Sequence, residues 1–96
     1  MGYYKLSNND YLVLKYIEDN IDKRRFVKRD IDKISSYLGL GLMSVTRSIK
    51  SLKDKGIIDT YGNNYVLLVG DIRIYKCDNN VTISANRCND LYHLYE

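Results

Sequence analysis

No apolar run in these 96 residues approaches the ~18 that a membrane-spanning helix needs, so the sequence offers no candidate span. The first ten residues lack the apolar core of a signal peptide, and Leu6 stands where a myristoylation signal needs Ser or Thr. The expectation is a cytoplasmic, intracellular protein, in which the glycosylation pattern Asn80-Val81-Thr82 is incidental. Cys77 and Cys88 are the only cysteines; a reducing compartment favours free thiols packed as small apolar groups, with a disulfide and a redox-sensing pair left open. His93 is the only histidine, so a metal site would need both cysteines and a fourth ligand. Proline is absent, which lends no support to a thermophilic source, whose loops tend to gain it. There is no Walker loop, and Gly39-Leu40-Gly41 has Ser44 where a dinucleotide fingerprint needs its third glycine. No nucleophile and base stand at a workable spacing. The expectations are no enzyme activity, no cofactor, no metal and no small-molecule ligand.

What is present is the composition of one folded domain covering residues 1–96, with 45% hydrophobic and 28% charged residues. The net charge of +3 permits a polyanionic partner without requiring one, so the placement of the cations matters more than their sum. No repeat, low-complexity segment or linker interrupts the chain.

Ser7 is placed to cap a helix over residues 8–20, with Asp10 three residues on as an acidic capping box. Tyr11, Leu14, Ile17 and Ile21 give that helix one apolar stripe, and Lys15, Glu18 and Asp19 lie on the other side. The densest basic run follows: Lys23, Arg24 and Arg25, then Phe26 and Val27 as a short inward-facing strand or connector, then Lys28 and Arg29. Two readings of this run stand side by side, a solvated loop or a set of phosphate contacts. Asp30 caps a second helix with Ile31, Ile34 and Leu38 buried and Tyr37 on the flank, and Gly39 stops it. Leu40 tucks inward, and Gly41 begins a third helix that buries Val45, Ile49 and Leu52. Its other face holds Ser44, Thr46, Arg47, Lys50, Ser51 and Lys53, and Lys55-Gly56 closes it.

From Ile57 the apolar period changes to two. Residues 57–61 and 65–69 read as strands joined by a tight Gly62-Asn63-Asn64 turn. Residues 72–76 and 81–83 read as a further strand pair, and Ser84 is placed to cap a short final helix with Cys88, Leu91, Tyr92 and Tyr95 along one side.

Residues Ile34 to Leu40 and Ser44 to Ile58 are similar to the pattern I-A-x-x-L-G-L followed by x-V-S-R-x-I-x-x-L-x-x-K-G-x-I. On these residues the chain resembles the winged helix-turn-helix transcription regulators, which include the DNA-binding domains of the Crp/Fnr and MarR groups. The resemblance implies an α+β fold: a three-helix core with a β-hairpin wing, the helix-turn-helix over about 30–56, the wing over about 57–69, and a C-terminal strand/helix extension over about 70–96. It implies a sequence-specific double-stranded DNA-binding protein that regulates transcription, with a recognition helix over about 42–55 in the major groove. Arg47 then meets bases or phosphate, with Met43, Ser44, Thr46, Lys50 and Ser51 beside it. Asn63 and Asn64 at the wing tip hydrogen-bond the backbone or the minor groove, and Lys23, Arg24, Arg25, Lys28 and Arg29 anchor phosphates. The chain departs from the family at Gly41-Leu42-Met43, where polar residues are usual; Leu42 and Met43 either touch thymine methyl groups or pack on a neighbouring element or partner. A homodimer through the Tyr3-Tyr4 end and the segment around Leu91, Tyr92 and Tyr95 is expected, since two half-sites multiply specificity. The competing expectation is a winged-helix protein-interaction module that does not bind DNA.

Overall fold

Among the described residues two of the three helices open on a side-chain cap and two close at a glycine of positive φ. The Ser7 hydroxyl accepts a hydrogen bond from the Asp10 amide at 3.2 Å and opens α1, Asn8–Asn20. The Asp30 carboxylate accepts from the Lys33 amide at 3.0 Å and opens α2, Ile31–Leu38. Gly41, with no side chain to offer, opens α3, Leu42–Asp54. Gly39 ends α2 with φ +69°. Gly56, at φ +76°, closes α3 in a Schellman arrangement: its amide donates to Lys53 O and that of Ile57 to Leu52 O, both at 3.0 Å.

The computed structural model describes residues 2–77 and 80–87. Over them the chain is an α+β domain of three helices and two three-stranded antiparallel sheets. The strands in chain order are β1 Gly2–Leu6, β2 Phe26–Lys28, β3 Ile58–Tyr61, β4 Asn64–Leu67, β5 Val69–Cys77 and β6 Asn80–Arg87. Among the described residues no helix is long and apolar enough to cross a membrane.

The main core lies between the helices and the inner faces of both sheets. Ile34 from α2 and Val45, Ile49 and Leu52 from α3 are buried in it, while Ile31, Leu38 and Leu40 are half-buried at its margin. The α1 stripe is broader than the sequence predicts. Val13 and Tyr16 are buried as fully as Leu14 and Ile17, whereas Tyr11 and Ile21 are only half-buried. The cause is tertiary: α1 packs on α2 and α3 along one side and touches β1 and β6 along another, so two apolar faces are covered. Tyr37, largely exposed, sets its ring edge-on to Tyr16 at 5.3 Å.

In the first sheet, ordered β2-β4-β3, Val27 pairs with Tyr65 and Tyr65 with Thr60. Gly62 and Asn63 form the hairpin tip; Gly62 alone has positive φ (+59°), the pattern of a type II′ turn. The returning strand is shorter than expected. It stops at Leu67, and Val69 already belongs to β5. The second sheet, ordered β1-β6-β5, departs further from expectation. Residues 2–6 form an edge strand, and Ser84 is no helix cap but sits mid-strand in β6, opposite both Tyr3 and Arg73. The β-branched run Val81-Thr82-Ile83 continues as strand through Arg87 because β1 supplies ladder partners as far as Ala85 and β5 pairs with Asn86 and Arg87 beyond it. The expected helix contacts of Cys88, Leu91, Tyr92 and Tyr95 lie outside the described residues.

Candidate nucleic-acid interface

With Val45, Ser48, Ile49 and Leu52 committed to the core, the helical period leaves α3 one outward face. That face carries Leu42 (51% exposed), Met43 (69% exposed), Thr46, Arg47, Lys50 and Lys53. The Thr46 hydroxyl donates to Leu42 O at 2.9 Å, which leaves its methyl and lone pairs outward. Ser44 is half-buried at the edge of the face.

Ser51 turns the other way. Its hydroxyl donates to the Asp10 carboxylate at 2.8 Å and accepts from the Lys55 ammonium at 2.8 Å. Asp10 is only 8% exposed, so this contact ties the start of α1 to the end of α3 and supplies a buried carboxylate with a donor.

Between the outward face of α3 and the β3–β4 hairpin runs an open groove of about 450 Å³, whose lining includes Arg29, Thr46, Lys50, Lys53, Thr60 and Tyr65. A second hollow of about 360 Å³, lined by Lys28, Arg29, Ile31, Asn63 and Tyr65, shares Arg29, Ile31 and Tyr65 with the first. Arg29 is the hinge of this arrangement. Its amide donates to Asn63 O at 3.0 Å, its guanidinium donates to Gly62 O at 3.2 Å, and its Cζ lies 5.7 Å from the centre of the Tyr65 ring. Asn63 is exposed at the tip, and Asn64 is half-buried in the ladder between Lys28 and Tyr61.

The cations of this surface are exposed, and the ion pairs lie elsewhere. Among the described residues the ion pairs are those of Lys15 with Glu18 (3.7 Å) and Asp19 (3.5 Å), on α1. Asp19 first, and Glu18 after it, hold the exposed Lys15 ammonium above its ordinary pKa. Arg47, Lys50, Lys53 and Lys28 have no such partner, although Asp54 also lines the groove. Arg47 is therefore not neutralised by Asp54 or by an acid of α2.

The basic run of residues 23–29 is split by β2. Lys28 and Arg29 stand at the hairpin tip, while residues 23–25 stand at its base, roughly 10 Å away along the strand. Asp22 organises that base, its carboxylate accepting from the Arg24 amide (2.8 Å) and the Phe26 amide (3.0 Å). Arg24 lies 5.6 Å over the Phe26 ring, which stacks on Tyr61 at 5.4 Å on the sheet face away from the main core. Arg25 adopts φ +67° and donates through Nε to Leu67 O at 3.0 Å and through Nη2 to Val69 O. Lys23 is exposed. The structure thus sets Arg29, Thr46 and Lys50 at the groove and Lys28 and Asn63 at the hollow that adjoins it through Arg29, with Met43 and Arg47 on the outward helix face. Lys23, Arg24, Arg25 and Ser51 lie elsewhere.

Lys53, Thr60 and Tyr65 complete the groove and were not singled out by motif. Lys53 stands three residues after Lys50 on the same helical face, and Thr60 and Tyr65 are cross-strand partners on the inner face of the hairpin, so the two periodicities carried the signal. Set against known proteins, the chain matches no family model, no curated protein and no solved structure.

Proposed function

We propose that the chain is a winged helix-turn-helix domain that binds double-stranded DNA with sequence specificity and regulates transcription as a homodimer inside the cell. The observation that carries this reading is the cationic outward face of α3, unpaired among the described residues and continuous with Lys28 and Arg29 at the hairpin tip. In this reading α3 enters the major groove, and Arg47, with Met43, Ser44 and Thr46, meets base edges. Lys50 and Lys53 flank the helix, and Lys28, Arg29 and Asn63 meet the phosphate backbone from the hairpin side. No catalytic step and no cofactor enter the reading.

Arg47→Ala tests it. Loss of a bidentate contact to guanine costs about 1–3 kcal/mol at the specific site. A site obtained by selection from a random DNA pool should lose roughly 5- to 150-fold in affinity, while binding to unrelated duplex changes little. Equal losses on both would make Arg47 a phosphate contact.

A second reading has one observation of its own. Leu42 and Met43, at the entry of α3, are both more than half exposed, and two adjacent exposed apolar side chains suit a protein partner. Leu42→Asp with Met43→Asp separates the two: abolished capture of a protein partner with duplex binding absent throughout favours the interaction module.

A further inference from the structure

The outer face of the second sheet bears a pattern that duplex binding by α3 does not use. Strand alternation puts Leu6, Val81, Ile83 and Ala85 into the core and their neighbours on the other face of the sheet, where Thr82 is half-buried and Ser84, 2% exposed, is covered between its larger neighbours. The register sets Tyr3 and Arg73 on either side of Ser84, and Lys5 and Tyr75 on either side of Thr82. Two rows result, each with one tyrosine and one cation, and the tyrosines occupy opposite corners. Tyr3 is 70% exposed and Tyr75 50%, and Lys5 and Arg73 are exposed. In the paired register no acid shares this face; Asp71 sits in the irregular stretch between Gly70 and Arg73.

We propose that this sheet face is a second binding site, for single-stranded nucleic acid. Two exposed rings offer stacking surfaces to unpaired bases, and two cations offer phosphate contacts, the combination that single-strand binding requires. The spacing selects against a duplex. Strands about 4.8 Å apart and residues about 3.4 Å apart put the two tyrosines roughly 12 Å from each other. Bases in a stacked strand rise by only ~3.4 Å, so bases seated on both rings belong to an extended, unstacked segment. Charge also argues against a second copy of this face as the occupant, because Lys5 and Arg73 would meet like charges. The site shares no residue with the outward face of α3.

The test uses the full chain and two labelled 12-nucleotide probes, oligo-dT and oligo-U, followed by fluorescence anisotropy beside a labelled duplex. The wild-type chain should bind at least one single strand, and the tighter of the two identifies DNA or RNA as the ligand. Tyr3→Ala with Tyr75→Ala should weaken that binding about tenfold or more, since each stacked base contributes measurably. Tyr3→Phe with Tyr75→Phe keeps both rings and should restore single-strand binding. Lys5→Ala with Arg73→Ala should lower the log–log salt slope by about 1.4, two contacts at about 0.7 each. If the alanine pair fails to fold, the phenylalanine and charge variants decide alone. No single-strand binding by the wild-type chain, or an unchanged salt slope in the charge variant, overturns the proposal. Arg47→Ala, which addresses only the duplex site, should leave single-strand binding intact.

Discussion

Arg25 is the residue at which the sequence and the structure point to different measurements. As part of a basic run it is a candidate phosphate contact; in the fold its guanidinium donates to Leu67 O and Val69 O, where β4 ends and β5 begins. Its backbone stands at φ +67°, a conformation that costs a residue with Cβ about 1–2 kcal/mol. Hydrogen bonds from a charged donor contribute about 1.5–3 kcal/mol each, and the half-buried position favours the lower end. Arg25→Ala keeps the backbone cost and loses both bonds, so it should destabilise by about 3 kcal/mol. Arg25→Gly loses the same bonds but relieves the backbone. After subtraction of the about 0.5–1 kcal/mol that glycine gains in the unfolded chain, it should be about 0.5–1 kcal/mol more stable than the alanine variant. For a domain of this size 1 kcal/mol shifts Tm by about 4–8 °C, so the order Arg, Gly, Ala is resolved by urea titration and thermal melting followed by circular dichroism. Duplex affinity of the folded variants should match the wild type. Unchanged stability in Arg25→Ala together with a salt slope lower by about 0.9 would refute the reasoning and return Arg25 to the interface.

Three smaller predictions follow from the caps and the helix contacts. Ser51→Ala leaves the Asp10 carboxylate, 8% exposed, without its hydroxyl donor; unfolding titrations should show a loss of about 1–3 kcal/mol with duplex affinity unaltered. Gly56→Ala forces a side chain onto φ +76° and should cost about 1–2 kcal/mol, whereas Gly41→Ser, at a position with open space, should gain a few tenths of a kcal/mol as a better cap. The Lys15 ammonium, raised above 10.5 by Asp19 and Glu18, adds stability that is complete below that value and fades as pH rises through the raised one. Because the group is exposed, Lys15→Met should leave Tm unchanged at high salt.

The helices were legible because their ends are written in single residues. Ser7, Asp30, Gly39 and Gly56 fix backbone groups locally, and the start of α1, both ends of α2 and the end of α3 follow from them without reference to the rest of the chain. The hairpin was legible for the same reason, through Gly62 and its period-two flanks. The edge strand β1 was not. Gly2-Tyr3-Tyr4-Lys5-Leu6 becomes a strand only because β6, about eighty residues away in sequence, pairs with it. Ser84 misled in the same way: a serine after an apolar run is a cap by local rules, and two strand neighbours override those rules. At the candidate site, the outward positions of Arg47 and Lys50 came directly from the helical period. The opposite fates of Lys28 and Arg25 could not, because both are arginine-lysine run members until β2 separates them and one turns into the left-handed region. Ser51 shows the limit of a helical wheel: it sits at the border of the outward face, and a buried acid on another helix decides which way its hydroxyl points.

The central claim is that the cations of α3 and the hairpin tip meet DNA phosphates, and a salt titration of duplex binding tests it most directly. Lys28, Arg29, Lys50 and Lys53, if each neutralises one phosphate, give a log–log slope of about −3.6 per protomer, at about −0.9 for each contact. Lys28→Ala with Lys50→Ala should reduce that slope by about 1.8. A slope near zero, or a slope that the double variant leaves unchanged, would contradict the account.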